Sequence, residues 1–313
     1  MIQTDSRYWF VIVPAAPRIH HDPERCPVFK SGYDDHRHRI STPSADLSYV
    51  EIGAGPPALF VHGVGTSAYL WADVVTALAD TRRCIAVDLP VHGQSPARPD
   101  QQMSVGSFAD VLAEFCETLE LGKVDLVAND TGGAVAQVFA ARHPEHIRSF
   151  TLTNCDAHDN VPPEAFLPTV ELARAGQIVA AAPDLIADLP AARQAVFAMG
   201  FENPEYLSIE MVQAYLEPVL GTPERAEKFQ ALIASFEPND LLSVEPALQR
   251  LDAPTLIVWG TADEFFDLKW AYWLRDTIPG AHDVVEVAGA KLFWPQERPQ
   301  DLVRPLRKFW AAA

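Results

Sequence analysis

From residue 38 onward, short apolar runs of strand length alternate with longer stretches whose apolar positions recur at helical spacing. The candidate strands are RIST (39–42), LSYVEIG (47–53), ALFVHG (58–63), CIAVDLP (84–90), VDLVAND (124–130), SFTLTNC (149–155), TLIVWG (255–260) and DVVEVAG (283–289). Segments such as SFADVLAEFCETLEL and TGGAVAQVFAARHP lie between them as amphipathic helices. This alternation predicts a mostly parallel sheet with helices on both faces. Residues from about 160 to 240 break it and read as helix after helix. They predict a helical cap, 159–240, inserted into a core made of 38–158 and 241–313. Residues 1–37 mix Pro, His and charge without periodicity and read as an N-terminal extension. No internal repeat interrupts the pattern.

A chain of 313 residues with 48% hydrophobic composition can bury a large α/β core. Its 24 Lys and Arg against 42 Asp and Glu give a net charge of −18, a field that repels nucleic acid and anionic membranes. No run has the length needed to span a bilayer. Cys26, Cys84, Cys116 and Cys155 are scattered without metal or disulfide spacing, which points to a reducing cytoplasm. The apolar run YWFVIVPAAP near the start is short for an export signal and has only Arg7 before it. His20, His21, His36 and His38 show no ligand register and read as part of a solvated arm. No cofactor or metal motif occurs. The partner these features leave is a small-molecule substrate, with a homodimer left open.

The chemistry concentrates at VDLVANDTGGAVAQ, where Asp130 stands between a buried strand and a helix. Gly132 and Gly133 allow a sharp turn and close helix packing, which puts Asp130 at the tip in the slot of a nucleophile. The helix N-terminus behind it favours a carboxylate, so an ionised Asp130 is expected. An Asp here also serves as an ordinary helix cap. Two further segments favour the chemical role. FVHGVGTSAYLW carries His62 and Gly63 after a strand, so that the backbone N–H groups of Val64 and Thr131 converge as an oxyanion pocket, with Trp71 nearby. VDLPVHGQS supplies a loop after the next strand.

On these motifs the chain from about residue 38 to its end resembles the α/β-hydrolase superfamily, and HGVGTSAYLW with NDTGG is most similar to the haloalkane dehalogenase and epoxide hydrolase branch. The resemblance implies an α/β-hydrolase fold, a mostly parallel eight-stranded sheet with an inserted helical cap and a site between them. It also implies an Asp130 that attacks saturated carbon to form an ester, which a His–acid pair then hydrolyses. Asp263 in VWGTADEFFD matches the acid, and Asp156 or Asp159 in TNCDAHDN matches the alternative location.

The family's histidine falls five residues before a Glu-x-Pro, and counting back from Glu297 reaches Leu292. Residues 286–313 contain no histidine, and Lys291 cannot take a proton from water unless burial lowers its pKa greatly. Thr131 and Val64 replace the Trp and Asn that hold a halide in dehalogenases, which disfavours dehalogenation. Three functions follow. In the first, Asp130 opens an epoxide-like electrophile, with His158 as a relocated base, Asp263 or Asp156 as its partner, and Tyr206 and Tyr215 as proton donors. In the second, Asp130 is a base in a dry pocket walled by Leu292, for an epimerisation, elimination or cyclisation. In the third, the scaffold binds a ligand without turnover.

Overall fold

In the computed structural model, residues 32–312 are described. Each of the eight apolar runs forms a strand: β1 Arg37–Ser41, β2 Asp46–Ile52, β3 Pro57–Val61, β4 Arg83–Val87, β5 Val124–Asp130, β6 Ile147–Cys155, β7 Thr255–Gly260 and β8 Ala281–Val287. They make one sheet in the order β1-β2-β4-β3-β5-β6-β7-β8. Only β2 runs antiparallel to its neighbours. The continuous apolar character of β3, β4 and β5 follows from burial on both faces of the sheet.

Strand order matters for function. β3 lies between β4 and β5, so the chain leaves β3 in one direction and returns on the other side. The loops after β3 and β5 therefore diverge at the C-terminal edge and leave a crevice there.

The helices are α1 Ala72–Leu78, α2 Val105–Thr118, α3 Thr131–Arg142, α4 Leu167–Arg174, α5 Gln177–Ala187, α6 Leu189–Ala192, α7 Ile209–Leu220, α8 Pro223–Ala234, α9 Asn239–Leu242, α10 Glu245–Leu248, α11 Leu268–Thr277, α12 Trp294–Glu297 and α13 Pro299–Trp310. α4 to α10 come between β6 and β7. Among them, α6 runs on into a wider π turn over Arg193–Phe197. α7 shows why these segments are helical. Ser208 Oγ accepts the Met211 N–H at 3.2 Å, and Met211, Val212, Tyr215, Leu216 and Val219 then make one buried stripe.

The core begins earlier than residue 38. Tyr33 is buried and its hydroxyl donates to Ala68 O at 2.8 Å, while Arg37 is ion-paired with buried Asp88 at 2.7 Å. Aperiodic polarity hides this, because both anchors are polar groups satisfied by partners far along the chain. His36 sits in a short turn, Asp34–His36, and His38 stacks on Tyr49 with ring centroids 5.3 Å apart. His20, His21, Cys26 and YWFVIVPAAP lie outside the described residues. Among the described residues, no group of three or more His, Cys, Asp or Glu is arranged to hold a metal, and no helix is long and apolar enough to cross a membrane.

α3 seats directly on the sheet. A Cβ at Gly132 would overlap the backbone carbonyls of Val61 and His62, and one at Gly133 would overlap the Cys155 side chain. Backbone cannot step aside as a flexible side chain can. Gly132→Ala is therefore expected to lower stability by about 3 kcal/mol or more, read as a shift of the urea unfolding midpoint. A wild-type midpoint would mean that α3 does not sit against β3 in this way.

Candidate active site

β5 ends at Asp130, which has φ 56° and ψ −140° and directly precedes α3. Such a turn lifts the carboxyl out of the sheet and into the crevice above β3 and β5. Gly63 makes room for it: a Cβ there would collide with Asp130 Cβ, Cγ and Oδ2. The backbone N–H groups of Val64 and Thr131, expected as an oxyanion pocket, act on the Asp130 carboxyl itself and favour its charged form.

They do not prevail. Burial is the largest influence and holds the Asp130 carboxyl well above the ordinary carboxylate range, with the negative charges of Asp156 and Asp263 pushing the same way. The expectation that the helix N-terminus keeps Asp130 ionised is thus corrected. Two N–H dipoles do not compensate for removing a carboxylate from water beside two other acids.

A cavity of about 100 Å³ opens above Asp130, between the sheet edge and the cap. Asp130, Thr131, Asp156 and Thr169 are its polar lining, against a wall of Phe, Leu, Ile and Val side chains from α5, α7, α8 and the loops. Val64 and Leu292 line it too. Leu292 therefore faces the same space as Asp130.

The loop bearing Leu292 is fixed along its length. Asn129 Nδ2 donates to Leu292 O at 3.1 Å, Phe293 N–H to Gly200 O at 2.8 Å, and Trp294 Nε1–H to Asn154 Oδ1 at 2.9 Å. Tyr215 OH donates to Gln296 Oε1 and Tyr206 OH to Gln296 O, each at 2.8 Å. Glu297 accepts the N–H groups of Glu202 and Asn203 at 2.8 and 3.0 Å. Tyr206 and Tyr215, read as proton donors to substrate, are placed here as ties between cap and loop, and neither lines the cavity.

The other candidates fall in separate places. Asp263 is half-buried and does not line the cavity; it accepts from Asn154 Nδ2 at 2.8 Å and from Phe265 N–H at 2.8 Å. Burial raises its pKa to about 7. His158, with φ 53°, turns outward: its Nδ1 lies 2.8 Å from Glu245 Oε2 and its ring packs on Trp273 at 4.8 Å. It does not line the cavity. His62 is enclosed beneath the loop after β3. Its Nε2 accepts the Leu89 N–H at 2.9 Å, so Nδ1 carries the proton given to Gly63 O at 2.7 Å. Burial lowers its pKa to about 4, which keeps it neutral as a loop tie. Trp71 is fully buried against Phe60, away from the cavity.

Three residues that organise the site escaped the motif reading. Asn129 holds Leu292 O, Asn154 joins Gly260, Asp263 and Trp294, and Gln137 Nε2 donates to Asp156 O at 2.7 Å. Their only sequence signal is an amide side chain within an otherwise apolar buried strand or helix.

The comparisons with known proteins agree with this architecture. A family described as alpha/beta hydrolase fold matches residues 56–294. The haloalkane dehalogenase 2 of Mycobacterium tuberculosis (strain H37Rv) is 28% identical over 295 residues, covering 89% of this chain and 93% of that protein. Among solved structures, an ancestral haloalkane dehalogenase superposes with a TM-score of 0.74 at 21% identity, over 88% of this chain and 98% of that one. The epoxide hydrolase CorEH gives 0.73 at 22% identity, with the same coverage. At these identities the structural likeness concerns the fold.

Acids raised by burial set a pH dependence of stability. Asp156 is raised to about 8 and Asp263 to about 7, both chiefly by burial. Unfolded, they release their protons near pH 4; folded, they keep them until pH 7 to 8. The unfolded state binds fewer protons between these limits, so stability is lost as pH rises through that window. Asp156→Asn is expected to gain a few kcal/mol relative to wild type at pH 8 and almost nothing at pH 4, measured by urea unfolding. An equal effect at both pH values would contradict the burial of this carboxyl.

Proposed function

The chain belongs to the α/β-hydrolase superfamily, and we propose that it is an enzyme performing proton transfer, without net hydrolysis, on a small apolar molecule held between sheet and cap, with Asp130 as the reacting carboxyl. The observation that carries this reading is the composition of the cavity wall. Asp130 faces an apolar space lined by Leu292, the residue that the sequence count puts where the family's histidine is expected, and among the described residues no histidine lines the cavity. Asp263 is committed to Asn154 and backbone N–H groups, and His158 to Glu245.

Without a base to activate water, an ester formed on Asp130 has no route to hydrolysis. The same apolar enclosure suits a proton donor. A carboxyl held well above its usual range keeps its proton to higher pH than an ordinary aspartate and can give it to an oxygen that gains charge during the reaction. Exclusion of water then protects a reactive intermediate from capture. Isomerisation, elimination and cyclisation of an apolar, oxygen-bearing molecule all fit. Thr131 and Val64 bring no side-chain N–H for a halide, which supports a reaction other than dehalogenation.

A second reading keeps Asp130 as a nucleophile towards an epoxide-like electrophile. It is favoured by the elbow conformation and by relatives and neighbours named as haloalkane dehalogenases and an epoxide hydrolase.

Incubation with a panel of apolar epoxides and ketones in oxygen-labelled water separates the two. Proton transfer gives products isomeric with the substrate, free of label and absent with Asp130→Asn. A stable added mass on the protein, lost in Asp130→Asn, would instead establish the nucleophile. Labelled diol from the wild-type protein would overturn the proton-transfer reading. Leu292→His is expected to shift any product towards labelled diol, because it restores a base beside Asp130.

A further inference from the structure

Asp156 has no part in the proton-transfer reading above, yet it lines the same cavity as Asp130 and is buried. The parallel register of β5 and β6 sets Cys155 opposite Asp130, so Asp156 follows at the same edge. Its main chain is clamped to the helix behind the elbow: Gln137 Nε2 donates both to Asp156 O at 2.7 Å and to Gly133 O at 3.0 Å. The hydroxyl of Thr131, the residue after Asp130, faces the Asp156 carboxyl and favours its charged form.

Two features make this more than a cluster of acids. Asp130 is 5% exposed, and its Oδ2 has no hydrogen-bond partner among the described residues, although the carboxyl lines the cavity. That oxygen is an unsatisfied acceptor shielded from water, packed beside Gly63. Secondly, the titratable groups named as acting on the two carboxyls are themselves acids: Asp156 and, from the loop after β7, Asp263 on Asp130, and Asp240 from α9 on Asp156. Two such carboxyls at one sheet edge resist ionising together.

We propose that Asp130 and Asp156 are a proton-sharing pair linked by the Thr131 hydroxyl, with Asp130 giving a proton to the oxygen of an apolar epoxide and Asp156 taking one from a neighbouring carbon. The proposal rests on the proton-transfer reading above. In the step, the Asp130 O–H bond breaks and its proton bonds to the epoxide oxygen. One ring C–O bond breaks, with its pair going to oxygen. The adjacent C–H bond breaks, its pair forms the C=C bond, and its proton goes to the Asp156 carboxylate, the form that appears as pH rises towards about 8. The Thr131 hydroxyl then accepts a proton from Asp156 and passes its own to Asp130. The product is an allylic alcohol isomeric with the substrate, so no oxidant, reductant or water is consumed. Asp263 cannot replace Asp156, since it does not line the cavity and its oxygens are already bonded.

The test is a carbon NMR titration of the whole protein with carboxyl-labelled aspartate, which needs no substrate. The wild-type protein is expected to show two linked steps displaced to the alkaline side of ordinary aspartate. In Asp156→Asn, the Asp130 step moves to lower pH by about one unit or more, because its negative neighbour is gone. An Asp130 step unchanged in a folded Asp156→Asn overturns the pair. Should that variant not fold, Thr131→Ser and Thr131→Val make the comparison: linkage kept in Ser and lost in Val supports the relay, and linkage kept in both removes it. With an epoxide from the panel that is turned over, Asp156→Asn is expected to lower kcat by about a hundredfold with little change in KM, and Asp156→Glu to recover part of it. Undiminished kcat overturns the pair while leaving the proton-transfer reading in place. Isomer absent from every epoxide, with the titration linked, would fail that reading and the proposed step, leaving only a titrating pair.

Discussion

At the end of β5 the backbone passes through Asp130 with φ 56° and ψ −140°, a conformation that costs an L-residue on the order of 1–3 kcal/mol. It persists because its surroundings leave no alternative. Gly132 presses α3 against the carbonyls of β3, Gly133 presses it against Cys155 of β6, and Gly63 yields the space that the Asp130 side chain takes. Three close approaches from three directions hold the turn. The placing of the carboxyl in the crevice at the reversal of strand order, beside the cavity that Asp156 also lines, depends on it.

Once the carboxyl is there, two influences compete over its charge. The dipoles of Val64 and Thr131 pull towards the carboxylate; loss of water and the neighbouring acids push towards the neutral acid. The second group prevails, because the cavity is walled by hydrocarbon and burial is the largest influence on the carboxyl. The absence of a histidine is therefore felt twice. It removes the activator of water, and it removes a cation that would have favoured an ionised nucleophile.

The strands were legible because buried parallel strands write continuous apolar runs, and the elbow because its glycines are demanded by backbone approaches. What stayed hidden depends on contacts between residues far apart in sequence. The outward turn of His158 is decided by Glu245 and Trp273, the roles of Tyr206 and Tyr215 by Gln296, and the position of Leu292 by Asn129. Charge state was illegible for a related reason. A motif shows which groups flank Asp130 in the chain but not how much water reaches it, and that access settles the balance.

The ties on the loop after β8 have one property in common. Asn129 grips the carbonyl of residue 292, Gly200 receives the amide of 293, and the remaining bonds fall on Trp294, Gln296 and Glu297. None involves the side chain at position 292. That position is thus a socket whose mounting is independent of what is plugged into it. A lineage could exchange a base for a hydrocarbon there, or back again, without rebuilding the scaffold. Within such a fold, a change in the class of reaction need be separated by no more than a single codon.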